Sequence, residues 1–543
     1  MRKPVLVLLV LALTAGSALG LAACGSSSSG KEGGTLNATY ASFPDYLDPQ
    51  LSYTAEGWTA LWNSYTPLLD FAHASGQAGS KVVPGLAKAL PKISNGGKTY
   101  TLFLRKGLKY SDGTPVRASD FPYTVERLFK LNSGGSPFYT SIVGAEKFAE
   151  TKTGGISGIK ADDKTGEIVI NLTRPRGTFT TELAIPFLAL VPKGTPAKNL
   201  TATPPPATGP YEIVKSEPGR AWSYERNPQW AKNNAALMPE VPSGHVDKID
   251  ITVVRNDATR INEIERDKKD WTQAAPPSDL FQKVREKYEG TQFRLEDTVS
   301  IYYFWMNMQK PPFDDLKVRE AVNYAVNPEA LERIYAGSLK SAHQILPPGM
   351  PGHEDFNLYP YNLEKAKKLI AEANPSDRDI TVWTDNENPN NEAGAYFQDV
   401  LTKLGFNANF KEINADNYFT IIGNQSTPDL DAGWFDWYQD YPHPNDYFQP
   451  LLAGESILPV NNSNFSMTDI PALNEKIKRL GEEQLGPKQE AEYAKLDREY
   501  MEQAPWAPYG NNQTSTFVSS AINLDDVIYN PTFGQDLTSF QFK

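Results

Sequence analysis

Residues 100–128 read YTLFLRKGLKYSDGTPVRASDFPYTVERL. Tyr100, Leu102 and Leu104 alternate with Thr101, Phe103 and Arg105, the period of a half-buried strand, so a strand pair turning near Lys106-Gly107 is expected. Asp112-Gly113 followed by Thr114-Pro115 is turn chemistry: the aspartate bonds nearby backbone, glycine reaches positive φ, and proline presets its own φ. Ser119 stands where an N-cap belongs, ahead of a helix over 120–131 whose Pro122 falls in the tolerant first turn.

Outward from this stretch, the spacing predicts a first strand over 35–40, a loop over 43–50 containing Asp48-Pro49, and a helix over 56–70 ending near Pro67. Downstream come a short strand at 167–172, a proline-rich excursion at 193–210, a hairpin from 212–214 and 222–226, and an alternating strand at 245–255. A charged helix is expected over 258–269. From Leu295 the character changes, with a dense aromatic strand at 301–308 and a helix at 315–326. Asn327-Pro328 caps the next helix, which stops at Gly337, and Asn362 caps another over 363–373. A helix over 391–404 ends at Gly405, and helices over 472–485 and 487–502 precede a strand-rich tail from Trp506. The pattern is mixed α/β with long antiparallel or mixed sheets and no βαβ regularity.

At 543 residues the chain exceeds what one core usually supports, so two or three lobes are expected. Its net charge of -12 argues against nucleic-acid binding through a basic face. Arg2 and Lys3 precede an apolar run over 5–13, then Leu21-Ala22-Ala23-Cys24. This is the pattern of a secretory signal, too short to be a membrane span. Leu-Ala-Ala-Cys resembles the bacterial lipobox, which implies cleavage after residue 23, a lipidated Cys24 and attachment to the outer face of a membrane. Cys24 is the only cysteine, so neither an internal disulfide nor thiol catalysis is expected. Residues 24–34, with GSSSSGKEGG from Gly25, read as a flexible tether.

Residues 429–448, DLDAGWFDWYQDYPHPNDYF, pack seven aromatics and five aspartates into twenty positions. From Glu412 to Glu475 there is no lysine or arginine, against ten acidic residues. Planar rings offer apolar area at low conformational cost, and unpaired carboxylates attract amines. The segment could wall a cleft for a positively charged ligand, or be an acidic strand and turn whose rings are core. The five histidines are scattered, with no metal-site spacing, and there is no G-x-S-x-G, Walker A or G-x-G-x-x-G motif. No cofactor, metal or catalytic residue is therefore expected. Asp436 and Asp440 leave one enzymatic alternative, the carboxylate pair of an exported hydrolase.

Several segments together resemble the bacterial extracellular solute-binding proteins of family 5, the oligopeptide, dipeptide and nickel type that feeds ABC importers. They are residues 100–128, Thr208-Gly209-Pro210-Tyr211 with Glu225-Arg226-Asn227-Pro228, residues 313–325 after Asn307, residues 347–352 with 361–373, and Trp437-x-x-Asp440-Tyr441 followed by Pro444. The resemblance implies an α/β, two-lobed, periplasmic-binding-protein-like (type II) clamshell with an extra third domain. Lobe I would comprise 35–66, 181–299 and 515–543, the extra domain 67–180, and lobe II 300–514, with hinge crossings near Tyr302 and Tyr509. Most matched blocks, Asp112-Gly113 and Arg319 included, would be architectural. In peptide-binding members the aspartate of the Trp-x-x-Asp motif receives the ligand's α-amino group. That position is Asp440 here, with Trp437 walling the same pocket and Trp434, Asp436 and Tyr441 completing the expected ligand-binding set.

Where some relatives carry an arginine for the ligand's carboxylate, this chain has Trp434, so a free C-terminus would have to be met elsewhere. The implied function is a monomeric, lipid-anchored receptor that hands peptides, or another amine-bearing solute, to an ABC permease. The alternative within the fold is an oligosaccharide receptor.

Overall fold

The computed structural model of the chain describes residues 30–543. The expected signal peptide, the lipidation site Cys24 and the first part of the tether lie outside the described residues. Residues 31–34 correct the tether reading. The Lys31 N–H donates to the Phe542 carbonyl at 2.7 Å and the Gly33 N–H to the His245 carbonyl at 2.8 Å. Backbone bonds of this kind leave no trace in side-chain composition.

Among the described residues a twelve-stranded mixed sheet runs through the molecule. Its centre is Ser300–Met306, buried at every position, which is why the sequence there is a continuous apolar run rather than an alternation. Trp506–Val518 lies beside it and belongs to both halves of the sheet. Its first part pairs antiparallel with Ser300–Met306, from Trp305 opposite Trp506 to Tyr302 opposite Gly510. Its second part pairs with Phe293–Asp297, from Asp297 opposite Gln513 to Phe293 opposite Phe517. The chain therefore passes between the halves at about 297–300 and again at 510–513.

Each half is a lobe with its own core. In the first, Thr35–Tyr40 lies parallel between Lys248–Val253 and Trp271–Thr272, and the hairpin Tyr211–Glu217/Ala221–Arg226 extends the sheet. Leu36, Ala38, Tyr40, Trp222 and Trp271 pack there. In the second, Ala432–Tyr438 runs antiparallel to Ser300–Met306, with Ser300 opposite Tyr438. Beyond it Asp379–Asp385 lies parallel to both Ala432–Tyr438 and Asn407–Ile413. The helix Asn390–Lys403 links Asp379–Asp385 to Asn407–Ile413, which makes a βαβ unit of these parallel strands. A third core surrounds the four-stranded antiparallel sheet of Lys92–Ser94, Thr99–Phe103, Glu167–Asn171 and Ile159–Asp162.

In that sheet the strand pair expected across Lys106-Gly107 is corrected. Thr99–Phe103 pairs with Lys92–Ser94 and with Glu167–Asn171. Alternation identifies a buried face but not the partner strand, and here one partner lies more than sixty residues away. Ser119 is not a cap: its backbone is helical and its hydroxyl bonds Asp163 at 2.9 Å. Asp120 holds the helix start instead, accepting the N–H of Arg117 at 2.8 Å and of Lys193 at 3.0 Å. The first helix is Ala55–Trp62, shorter than read, with Thr54 accepting the Gly57 N–H. Asn362 caps Leu363–Ala373 as the sequence implies.

Candidate functional site

Between the lobes lie two cavities that share two residues, Tyr53 and Asp440. The outer one, about 410 Å³, reaches from Trp437 and Asp446 to Arg174 and Lys478. The inner one, about 460 Å³, lies beside the crossing strands, lined by Thr298, Asn512 and Thr514 among others. Tyr53 Oη donates to Asp440 Oδ2 at 2.9 Å, joining residues 387 positions apart. This bond ties the segment after Asp48-Pro49 to the end of Ala432–Tyr438 and separates the two chambers.

The local sequence explains why Asp440 stands there. Burial along Ala432–Tyr438 is complete for four residues and relaxes from Asp436 onward, because the strand is leaving the lobe. The chain then turns into Asn445–Leu452, and Asp446 folds back so that Oδ2 accepts the Asp440 N–H at 2.8 Å. Burial pushes the carboxyl pKa of both residues up; for Asp446 the charge of Asp440 adds to it. Nothing in the stretch neutralises them. His443 is buried, and desolvation followed by the nearby Arg176 charge pulls its pKa down to about 3, so it is neutral. Arg176 is itself paired with Glu182 at 2.7 Å. Two adjoining carboxyl groups that make no ion pair among the described residues can take up a cation that donates hydrogen bonds.

Of the expected site residues, Trp437, Asp440 and Tyr441 line the outer chamber. Trp434 and Asp436 line neither chamber, which corrects that part of the set. They lie farther back along the strand, inside lobe II. Trp434 is 3% exposed and its indole N–H donates to Tyr509 Oη at 2.7 Å and Tyr335 Oη at 3.2 Å. Asp436 is opposite Tyr302 in the sheet, and burial pushes its pKa to about 7, with a Tyr302 hydrogen bond pulling the other way. Asp436 and Asp440 thus do not share a chamber, and the carboxylate pair of the hydrolase alternative is not assembled.

Four contributors were not foreseen. Tyr53 is separated from Asp440 by most of the chain, and its ring is held by Trp58, Phe187 and Phe138 at 5.2–6.1 Å between centroids. Asp446 was quoted within the acidic stretch but given no role. Arg174 and Lys478 put basic groups on the outer chamber although residues 412–475 contain none. Only folding brings these groups to one place.

The family model for bacterial extracellular solute-binding proteins, family 5 middle region, matches residues 81–457. The chain belongs to this family. Among curated relatives, the heme-binding protein A of Haemophilus influenzae is 28% identical over 482 residues, covering 82% of this chain and 81% of that protein. The dipeptide-binding protein of Escherichia coli is 28% identical over 356 residues, 61% of each chain. Among solved structures, the clavulanic acid biosynthesis oligopeptide binding protein 2 superposes with a TM-score of 0.85 over 94% of this chain and 96% of that one, at 24% identity. That likeness establishes the fold, a two-lobed type II binding-protein architecture, and the relatives named are binding proteins rather than enzymes. No helix among the described residues is long and apolar enough to cross a membrane.

Proposed function

We propose that this family member captures peptides with a free N-terminus in the interlobe gap and delivers them to a membrane permease. The observation that carries this reading is the Asp440–Asp446 carboxylate pair, with Asp440 shared by the two cavities and Asp446 lining the outer one, and no basic residue in its own segment. An α-ammonium placed at Asp440 would donate to the carboxylate that now accepts from Tyr53 Oη and gain a charge-assisted contact, which contributes on the order of 1.5–3 kcal/mol. The outer chamber extends from there to Arg174 and Lys478, which are exposed and suit a peptide carboxylate. These two groups offer the carboxylate contact that Trp434 cannot.

Hinge closure would do the rest. Ligand touching both lobes favours the closed population, with bending at about 297–300 and 510–513 where the chain crosses. The lobe limits are those read from the sequence, with the extra domain at 67–180. Leu21-Ala22-Ala23-Cys24 supports secretion and lipid attachment at Cys24, holding the receptor at the outer membrane face near its permease, and a monomer suffices. Thermal unfolding with a small ligand panel tests the reading, since a ligand bound only to the native state raises Tm by mass action. Free tripeptides should raise Tm and neutral oligosaccharides should not; a rise with the sugars and none with peptides would reverse the assignment.

A further inference from the structure

The two chambers differ in charge. The outer one carries both signs, with Arg174, Arg176 and Lys478 alongside its acids. The inner one has no lysine, arginine or histidine in its lining, and its charged residues are Glu56 and Asp440, both negative. Glu56 sits in the first turn of Ala55–Trp62 and forms no ion pair among the described residues. Burial, with Asp45 adding repulsion, raises its pKa against a backbone hydrogen bond that lowers it. A carboxylate in a helix's first turn also suits the helix dipole, but that role requires neither a cavity nor the absence of cations around it. The rest of the lining offers flat rings and neutral polar groups. Tyr438 is 43% exposed and Tyr53 38%, large for rings that line an interlobe cavity.

We infer that the inner chamber is a subsite for a cationic side chain, an ammonium or guanidinium group on the first residue of the bound peptide, with Glu56 as its counter-ion. The inference rests on the reading of Asp440 as the α-ammonium acceptor. Asp440 lines both chambers, so an ammonium held there can send the peptide chain along the outer chamber while its first side chain enters the inner one. A carboxylate beside exposed aromatic faces is the combination that holds ammonium and guanidinium groups. A neutral side chain would leave Glu56 enclosed with no partner, and an acidic one would be repelled.

Calorimetry on the protein without its signal peptide tests this with four tripeptides: Lys-Ala-Ala, norleucine-Ala-Ala, Ala-Ala-Ala and N-acetyl-Lys-Ala-Ala. Norleucine keeps the length of lysine and removes the charge. Lys-Ala-Ala should bind about tenfold tighter than norleucine-Ala-Ala, and Glu56→Gln should erase that advantage while leaving Ala-Ala-Ala within about twofold of wild type. Equal affinities for lysine and norleucine in the wild type, or an advantage that survives Glu56→Gln, would overturn the subsite. The wild-type comparison decides even if the variant folds poorly. The acetylated peptide separates the two readings. If it binds as tightly as Lys-Ala-Ala while lysine still outbinds norleucine, the Asp440 assignment fails and the cation subsite stands. If acetylation weakens binding but lysine and norleucine are equal, only the subsite fails, and if none of the four binds, both fall.

Discussion

Arg127, within a matched segment, and Asp48, outside them, show what single residues do. The guanidinium donates to Asp48 Oδ1 at 2.8 Å and Oδ2 at 2.6 Å, and to Gln50 Oε1 at 2.6 Å, with both charged side chains 0% exposed. The pair fastens the extra domain to the segment that carries Tyr53. Arg127→Leu leaves a carboxylate buried without its partner, so chemical denaturation should show a loss of about 3–5 kcal/mol. His73 is a second buried ionic group, stacked on Trp62 at 4.1 Å with Nδ1 at 2.6 Å from Asp536. Burial pulls its pKa down, but the carboxylates of Asp536 and then Asp70 outweigh it, and the net shift is upward. The charged form is thus favoured by folding: its stabilisation is complete below the unfolded value of about 6.5 and is lost as pH rises through the folded one. Asp536 is shifted down by His73 against its own burial, so its contribution holds above about 4 and fades as the pH falls. Asp70, raised by burial to about 6, subtracts stability between about 4 and 6, so the limb above neutrality belongs to His73. Melting temperature should decline as the pH rises above neutrality, and His73→Gln should flatten that decline; an unchanged slope would exclude His73 as its source. At this scale the resemblance to the Trp-x-x-Asp motif singled out Asp440, which lines both cavities, whereas nothing in the sequence singled out Tyr53, since its pairing is made only by folding.

At the scale of elements, the contact between Pro471–Glu482 and the extra domain shapes the outer chamber. The Gly177 N–H donates to the Gly481 carbonyl at 2.8 Å, and Gln484 Nε2 donates to Tyr100 Oη at 3.2 Å. A Cβ on Gly177 would lie 1.7 Å from the Glu483 carbonyl oxygen. Glycine is needed here for close approach and not for an unusual φ, so no turn signal in the sequence marks it. Gly177→Ala should hold these elements apart, weaken ligand binding by about tenfold or more, and leave unfolding cooperative. Calorimetry beside a denaturation curve would separate this from general destabilisation. A strand within 429–448 was only one of the two readings left open by the sequence, and the depth of Ala432–Tyr438 in the sheet was part of neither. That depth places Trp434 with Tyr335 and Tyr509, and Trp437 at the gap.

Over the whole molecule, the order of the matched segments made two lobes and an added domain legible, because such blocks keep their order when chains diverge. Which strands pair across hundreds of residues was not, and it is those pairings that set the crossings at about 297–300 and 510–513. Two chain crossings allow one lobe to swing on the other, so a bound tripeptide should lower the radius of gyration in solution scattering, and a value unchanged at saturation would argue against closure. The most direct measurement is a thermodynamic cycle by calorimetry, combining a free or N-acetylated tripeptide with wild type or Asp440→Asn. If Asp440 holds the α-ammonium, acetylation should weaken binding to the wild type by about tenfold or more and have far less effect on the variant. Acetylation costing both proteins the same would show that the amine is held elsewhere, or not at all.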